Sequence, residues 1–180
     1  MKILYVHGYN GKADGDTFKM LSRIAKVVSE DIEIVGAEYN QYDCDEAHDQ
    51  ILKKFRDEKA DILIGSSLGG FLVMTCTEIK HRIVFNPCLN PVYELPKLGM
   101  PIEYAESYRD WFKKATNTND AIVYGVFSKQ DEVLGDKYKA KFDQIFNTAS
   151  ISIDGKHGMD ENGAYLILRI CDKIIRKYIE

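Results

Sequence analysis

The sequence has no paired cysteine motif, no basic excess and no long apolar run, and each absence excludes a class of protein. Its four cysteines show no C-x-x-C or other regular spacing, which predicts reduced thiols. A net charge of −4 with scattered lysines and arginines argues against a nucleic-acid partner. No apolar run reaches the ~20 residues needed to cross a bilayer. With an N-terminus unlike a signal peptide, these features predict a cytoplasmic protein without a membrane partner.

The 180 residues, 45% of them hydrophobic, can bury one core but are too few for two ordinary domains, so one domain over 1–180 is predicted. Apolar or alternating runs predict six strands, and amphipathic segments between them predict helices. The strands are expected at residues 2–6, 32–38, 61–65, 82–86, 121–127 and 150–153. The helices are expected at residues 16–30, 45–58, 67–80, 136–147 and 160–178.

Strands that alternate with helices predict an α/β fold, a three-layer α/β/α sandwich around a mostly parallel six-stranded sheet. The expected strand order is 2-1-3-4-5-6. Successive strands are added on opposite sides of strand 1, which creates a topological switch point between strands 1 and 3. Ligands of such sheets bind where the order reverses, beyond the carboxyl ends of the strands. The loops after strands 1 and 3, which begin at His7 and Gly65, are therefore expected to face each other across a binding crevice.

Residues 87–118 interrupt the alternation of predicted strands and helices, and they contain all four prolines of the chain. A connection this long is typical of a lid or of disorder, and its aromatic residues argue against disorder. We interpret it as a small cap whose Tyr93, Tyr104 and Trp111 could line a substrate pocket, with a short helix over 104–115. The alternative is a structural insertion that packs on the edge of the sheet.

The most informative motif is Gly-Ser-Ser-Leu-Gly at residues 65–69, which follows an apolar strand and opens a helix. A chain that turns from strand to helix this sharply strains the central residue and leaves room only for glycine two positions to either side. That spacing makes Gly65 and Gly69 the glycines of a nucleophile elbow and selects Ser67, not Ser66, as the nucleophile.

A serine hydroxyl needs a base within hydrogen-bond reach and a third group that orients the base. Of the four histidines, His157 is chosen because it follows the last strand in a glycine-flanked loop. The other three are interpreted as structural or solvated: His7 as structural, and His48 and His81 as solvated. Asp131, in the loop after strand 5, is the expected acid, with Glu132 and Asp154 as alternatives.

Attack by Ser67 on a carbonyl would create an oxyanion that requires hydrogen-bond donors, each typically worth ~3 kcal/mol in the transition state. The expected donors are the backbone amide of Leu68, at the start of the helix, and that of Tyr9, in the loop after strand 1. These residues predict an acyl-enzyme on Ser67, with proton transfer by His157 and hydrolysis by water.

These motifs, in this order, resemble the α/β-hydrolase superfamily over nearly the whole chain. The opening Ile-Leu-Tyr-Val-His-Gly-Tyr-Asn-Gly at 3–11 and the Gly-Ser-Ser-Leu-Gly-Gly-Phe elbow at 65–71 are most similar to compact YqiA-like esterases. The resemblance implies a fold that lacks the first two strands of larger hydrolases. It also implies hydrolysis of a small-molecule ester or thioester by Ser67, Asp131 and His157. No metal and no cofactor are expected.

Two other functions remain open from the sequence. A strand, a glycine-rich turn and a helix N-terminus can bind phosphate, but neither G-x-x-x-x-G-K-[ST] nor G-x-G-x-x-G is present. The second is a catalytically silent hydrolase fold that acts as an interaction or small-ligand-binding module.

Overall fold

The protein is built on a six-stranded parallel sheet in the order β2-β1-β3-β4-β5-β6. This computed structural model describes residues 1–114, 122–135, 137–148 and 150–179. The strands are β1 (Lys2–Val6), β2 (Glu33–Ala37), β3 (Ile62–Ser66), β4 (His81–Phe85), β5 (Ile122–Ser128) and β6 (Ile151–Ile153). The α-helices are α1 (Asp16–Val28), α2 (Cys44–Asp57), α3 (Leu68–Thr75), α4 (Pro91–Glu94), α5 (Ile102–Ala105), α6 (Lys137–Phe146) and α7 (Glu161–Ile179). The predicted α/β class and strand order are confirmed.

Side chains that alternate along each strand build two hydrophobic cores, one on each face of the sheet. On β1, Ile3 and Tyr5 pack in the core beneath α1 and α7, while Leu4 and Val6 pack in the opposite core with α2, α3 and α6. The helices therefore form the outer layers of a three-layer sandwich. Within the residues described, no helix is long and apolar enough to pass through a bilayer.

Two element boundaries differ from the predicted ones between β3 and β4. Helix α3 ends at Thr75 rather than near residue 80, because the Thr75 hydroxyl and the Cys76 thiol both donate to the carbonyl of Leu72 and compete with continued helix. Strand β4 begins at His81, which is therefore a buried strand residue and not the solvated end of a helix.

The insertion after β4 is described for residues 87–114; residues 115–118 of the predicted cap lie outside the described residues. The predicted helix over 104–115 is replaced by α5 and two 3₁₀ turns, Glu106–Tyr108 and Trp111–Lys114, with residue 115 outside the description. Buried side chains fix the insertion to the core on the α2 face of the sheet. They include Leu89, Leu95, Met100, Ala105 and Tyr108.

A buried carboxylate also ties the insertion to α6. Glu94 is almost fully buried and accepts hydrogen bonds from the Tyr138 hydroxyl at 2.6 Å and from the Lys137 ammonium at 2.8 Å. Lys97 donates to its other oxygen at 2.8 Å. A buried charge is tolerated when it is paired in this way, and the same bonds anchor α4 to its neighbour.

The sheet register brings the loops after β1 and β3 together. Val6 pairs with Gly65, so both strands end at the same edge of the sheet, next to the point where the strand order reverses. Beyond this edge, His7 is the first residue after β1 and Ser67 is the first residue after β3. The loops after β5 and β6 reach the same edge, and they carry Asp131 and His157.

Candidate active site

Ser67 joins β3 to α3 in a strained backbone conformation, with φ 53° and ψ −117°. Positive φ is rare for a residue with a side chain, so the surrounding structure must hold it in place. The amide of Ser67 donates to the carbonyl of Phe85 at 3.0 Å, and its carbonyl accepts from the amide of Cys88 at 2.9 Å. The backbone N–H and carbonyl of the strained residue are therefore bonded to the last residue of β4 and to the segment that follows it.

The two glycines around Ser67 lie where a side chain would collide with backbone. A Cβ on Gly65 would lie 2.4 Å from the carbonyl oxygen of Gly69, and a Cβ on Gly69 would lie 2.2 Å from the carbonyl oxygen of Val6. The close approach of α3 to β1 and β3 requires glycine at both positions. This is the geometry that the spacing of the motif predicts.

The structure brings Ser67, His157 and Asp131 into one hydrogen-bonded chain. The Ser67 Oγ lies 3.0 Å from the Nε2 of His157. The Nδ1 of the same imidazole lies 3.0 Å from both carboxylate oxygens of Asp131. The Asp131 carboxylate is 4% exposed and the His157 imidazole 16%. The hydrogen-bonded side chains are therefore largely shielded from solvent, but the imidazole remains accessible to it.

Asp131, rather than either alternative acid, contacts the imidazole. Glu132 instead accepts the backbone N–H of His157 at 3.0 Å, and Asp154 is an exposed partner of Lys129. Burial alone would raise the pKa of Asp131, but hydrogen bonds from His157 and from the amides of Leu134 and Val133 lower it below its usual value. Asp131 is therefore an ionised carboxylate at neutral pH.

The two residues whose amides are predicted to bind an oxyanion lie at the same cleft edge as Ser67 or directly after it in the chain. Leu68 is the first residue of α3, and Tyr9 lines the cleft beside Ser67. Neither amide donates to an acceptor within the part of the chain described. A Cβ on Gly8 would lie 3.2 Å from the Cβ of Ser67, so a glycine there lets the β1 loop lie close against the serine.

A cleft of about 350 Å³ opens beside Ser67, and its walls differ from the predicted pocket. Tyr93, Tyr104 and Trp111 do not line it. Its aliphatic wall consists of Leu98, Val133 and Met159, of which only Leu98 belongs to the insertion. The insertion thus contributes to the cleft through one side chain and not through its aromatic residues.

Trp111 instead packs with a histidine that the sequence places in solvent. His48 is 8% exposed, and its ring lies 4.2 Å from that of Trp111. The indole N–H donates to Asp45 at 2.8 Å, which attaches the insertion to α2. Burial lowers the pKa of His48, so this histidine is neutral at neutral pH.

His7 has the structural position that its sequence context predicts. Its Nδ1–H donates to the carbonyl of Gly8 at 2.8 Å, and its ring stacks on Tyr39 at 4.6 Å. The Tyr39 hydroxyl donates to the carbonyl of His7 at 2.7 Å. These contacts shape the loop that carries Tyr9.

Asn86 is a residue of the site that the sequence does not single out. It follows β4 with a φ of 42° and is 1% exposed. Its side-chain amide donates to the carbonyl of His157 at 3.0 Å and to the Ser128 hydroxyl at 3.0 Å, and its carbonyl accepts the Ser128 N–H at 2.7 Å. Asn86 therefore joins the loops that carry the acid and the imidazole.

A comparison with protein families identifies the family of this chain. The family described as Uncharacterised protein family (UPF0227) matches residues 2–168, which is most of the chain. The chain belongs to the UPF0227 family. No curated protein matches the sequence of this UPF0227 chain.

Solved structures show that the UPF0227 chain has the α/β-hydrolase fold. It is similar to Est1E from Butyrivibrio proteoclasticus, with 17% identity and a TM-score of 0.74 over 99% of this chain and 88% of that one. The esterase domain of a Rhodothermus marinus protein is 15% identical, with a TM-score of 0.74 over 98% and 86% of the two chains. Alpha/beta hydrolase domain-containing protein 10 from mouse is 15% identical, with a TM-score of 0.66 over 98% and 90%. The predicted α/β-hydrolase fold is confirmed.

Proposed function

We propose that this protein is a serine hydrolase that cleaves carboxylic esters or thioesters through an acyl-enzyme on Ser67. The observation that carries the proposal is the unbroken chain from the Ser67 Oγ through His157 to the Asp131 carboxylate. The esterases among the structures of the same fold lend further support.

The first half of the reaction forms the acyl-enzyme. Ser67 Oγ attacks the carbonyl carbon while His157 Nε2 takes the hydroxyl proton, and Asp131 stabilises the imidazolium that results. The oxyanion accepts hydrogen bonds from the amides of Leu68 and Tyr9. Collapse of the tetrahedral intermediate breaks the bond to the alcohol or thiol, which leaves with the proton from His157.

The second half returns the enzyme to its starting state. A water molecule gives a proton to His157 Nε2 and attacks the acyl carbon, and collapse of the second intermediate releases the carboxylic acid and re-protonates Ser67. The cleft of about 350 Å³ favours small acyl groups over long triglyceride chains.

A reducing compartment such as the cytoplasm is proposed for this reaction. Cys44, Cys76, Cys88 and Cys171 are all buried and free. Free thiols persist where glutathione and thioredoxin keep them reduced.

Hydrolysis of an acyl-chain-length series of p-nitrophenyl esters and matching thioesters by the purified protein tests the proposal. We expect the highest kcat/KM with short acyl groups, because the cleft is small. An excess of a fluorophosphonate should abolish this hydrolysis. A protein that the probe labels but that hydrolyses no member of either series would instead support the silent interaction module.

Asn86→Asp should lower kcat about 10- to 100-fold with KM changed less than about threefold. The carboxylate can still accept the Ser128 N–H, but it has no N–H to donate to the carbonyl of His157, so the imidazole loop shifts. A displacement of about 1 Å in a reacting group can cost ~100-fold in rate. Steady-state kinetics on the preferred short ester measure the change.

Asn90→Asp is the matched control, because Asn90 is exposed and its side chain forms no cap hydrogen bond on α4. Thermal unfolding of both variants separates a displaced loop from general destabilisation. A kcat for Asn86→Asp equal to that of Asn90→Asp would contradict a positioning role for Asn86.

A further inference from the structure

Three tyrosines form a continuous row that leads away from the cleft beside Ser67. The rings of Tyr9 and Tyr42 lie 6.5 Å apart at 88°, and those of Tyr42 and Tyr104 lie 5.2 Å apart at 64°. Tyr9 lines the cleft, while Tyr42 and Tyr104 are 44% and 45% exposed. We call Tyr9, Tyr42 and Tyr104 the tyrosine row.

The outer end of the tyrosine row opens into a second groove, lined by Asn40, Tyr42, Pro101 and Tyr104. The wall of this groove is held in place. The Asn40 side chain donates to Glu46 at 2.7 Å and accepts the backbone N–H of Tyr42 at 3.0 Å. The groove lies between the segment before α2 and the start of α5, and its Tyr42 ring lies 6.5 Å from that of Tyr9, which lines the Ser67 cleft.

A connected aromatic row of this kind needs an explanation, although single exposed apolar residues do not. Tyrosine offers a large, rigid contact surface at little conformational-entropy cost, because it has only two side-chain torsions. Aromatic rings prefer edge-to-face or offset contacts at centroid distances of 4.5–7 Å, and both pairs in the row have such geometry. One more ring, supplied by a ligand, can extend the series in the same way.

The charges near the tyrosine row restrict the ligand further. The Glu46 carboxylate lies against the groove, where it accepts a hydrogen bond from the Asn40 side chain, and Glu103 directly precedes Tyr104. An anionic ligand group would be repelled at this surface, since like charges brought together raise the free energy of binding. The surface therefore suits an aromatic group without negative charge.

We propose that the tyrosine row is a substrate subsite that binds an uncharged aromatic group of the ester hydrolysed at Ser67. This inference rests on the proposed hydrolase function and adds a substrate class to it. Because Tyr9 belongs both to the row and to the cleft, the aromatic group would bind next to the scissile carbonyl.

Two pairs of esters test the subsite, each pair comparing a planar ring with a saturated ring of similar size. Benzyl acetate is compared with cyclohexylmethyl acetate, which places the ring in the alcohol part of the ester. Ethyl phenylacetate is compared with ethyl cyclohexylacetate, which places the ring in the acyl part. We expect at least one pair to show about fivefold higher kcat/KM for the planar ester, relative to the ratio of their hydroxide-catalysed rates. That factor corresponds to the typical extra stabilisation of aromatic pairs.

Tyr42→Ala and Tyr104→Ala should each bring this planar preference close to one, mainly by raising KM for the aromatic ester. Tyr42→Phe should retain the preference, since its ring is kept. Tyr165→Ala is the matched control, because Tyr165 is a 48% exposed tyrosine on α7 outside the cleft and the groove. It should leave both pairs of rates unchanged. Thermal unfolding shows whether each variant is folded.

The outcomes separate this proposal from the hydrolase function on which it depends. Hydrolysis of ethyl acetate with no planar preference in either pair would overturn the subsite and leave the hydrolase intact. A planar preference that survives in both alanine variants would also overturn it, as would faster hydrolysis of the cyclohexyl esters. Failure to hydrolyse any ester, together with no labelling of Ser67 by a fluorophosphonate, would overturn the hydrolase function itself.

Discussion

Ser67→Ala is expected to lower kcat/KM for a short p-nitrophenyl ester at least about 10⁴-fold, because it removes the atom that forms the acyl-enzyme. The variant keeps the hydrogen bonds of the Ser67 backbone to Phe85 and Cys88, so the elbow should remain folded. Steady-state kinetics, with circular dichroism to check folding, measure the effect. Any residual rate reports what the remaining polar groups of the cleft contribute without a nucleophile.

Ser66→Ala is the matched control for this result, since it removes the neighbouring hydroxyl of the same elbow. The Ser66 Oγ lies 3.0 Å from the Tyr5 hydroxyl, and the imidazole of His157 is bonded to Ser67 instead. We expect kcat/KM of Ser66→Ala to stay within about tenfold of wild type, the cost of one lost hydrogen bond beside the site. Equal losses in the two variants would contradict the assignment of Ser67 as nucleophile.

Asp131→Asn is expected to lower kcat about 10⁴-fold with little change in the fold. The carboxylate accepts Nδ1–H and so keeps Nε2 free to take the Ser67 proton. An amide in its place can donate to Nδ1, which leaves the proton on Nε2 and the wrong tautomer facing the serine. The amide oxygen can still accept the N–H groups of Val133 and Leu134 that hold the loop.

Two variants of nearby acids test whether this loss is specific. Asp154→Asn should behave like wild type, because Asp154 is exposed and pairs with Lys129. Glu132→Gln should cost less than about tenfold, since glutamine retains an oxygen that can accept the His157 N–H. A larger loss in either variant than in Asp131→Asn would show that the acid has been misassigned.

The parts of this structure that the sequence predicts are those governed by local patterns. Buried parallel strands such as β1 and β3 are continuous apolar runs, and the less buried β2 and β6 keep apolar or alternating patterns. All six strands are therefore predicted to within one residue at each end. The elbow is predictable because collisions with the backbone leave only glycine at residues 65 and 69. The order of the strands follows if the second strand packs outside the first and the third packs on the other side of the first. Right-handed β-α-β crossovers then place α1 and α2 on opposite faces of the sheet.

The parts that the sequence does not predict depend on contacts between distant residues. His48 lies within a charged helical segment, which predicts an exposed side chain. It is buried because Trp111, 63 positions later, packs on it. The position of Trp111 itself depends on how the insertion folds against α2, which no local periodicity encodes. The sequence marks Asn86 only by an Asn-Pro pair at the end of a buried strand. Its role depends on hydrogen bonds to Ser128 and His157, which the fold brings close to it.

The most direct test of the account is the site at which a fluorophosphonate reacts. The wild-type protein is treated with the probe, digested, and examined by tandem mass spectrometry of the peptide that contains residues 65–70. We expect one phosphonylated residue, Ser67, in the wild type and no phosphonylated residue in Ser67→Ala. An intact mass that shows no adduct on the wild type, or an adduct that maps to Ser66 or any other residue, would contradict the account.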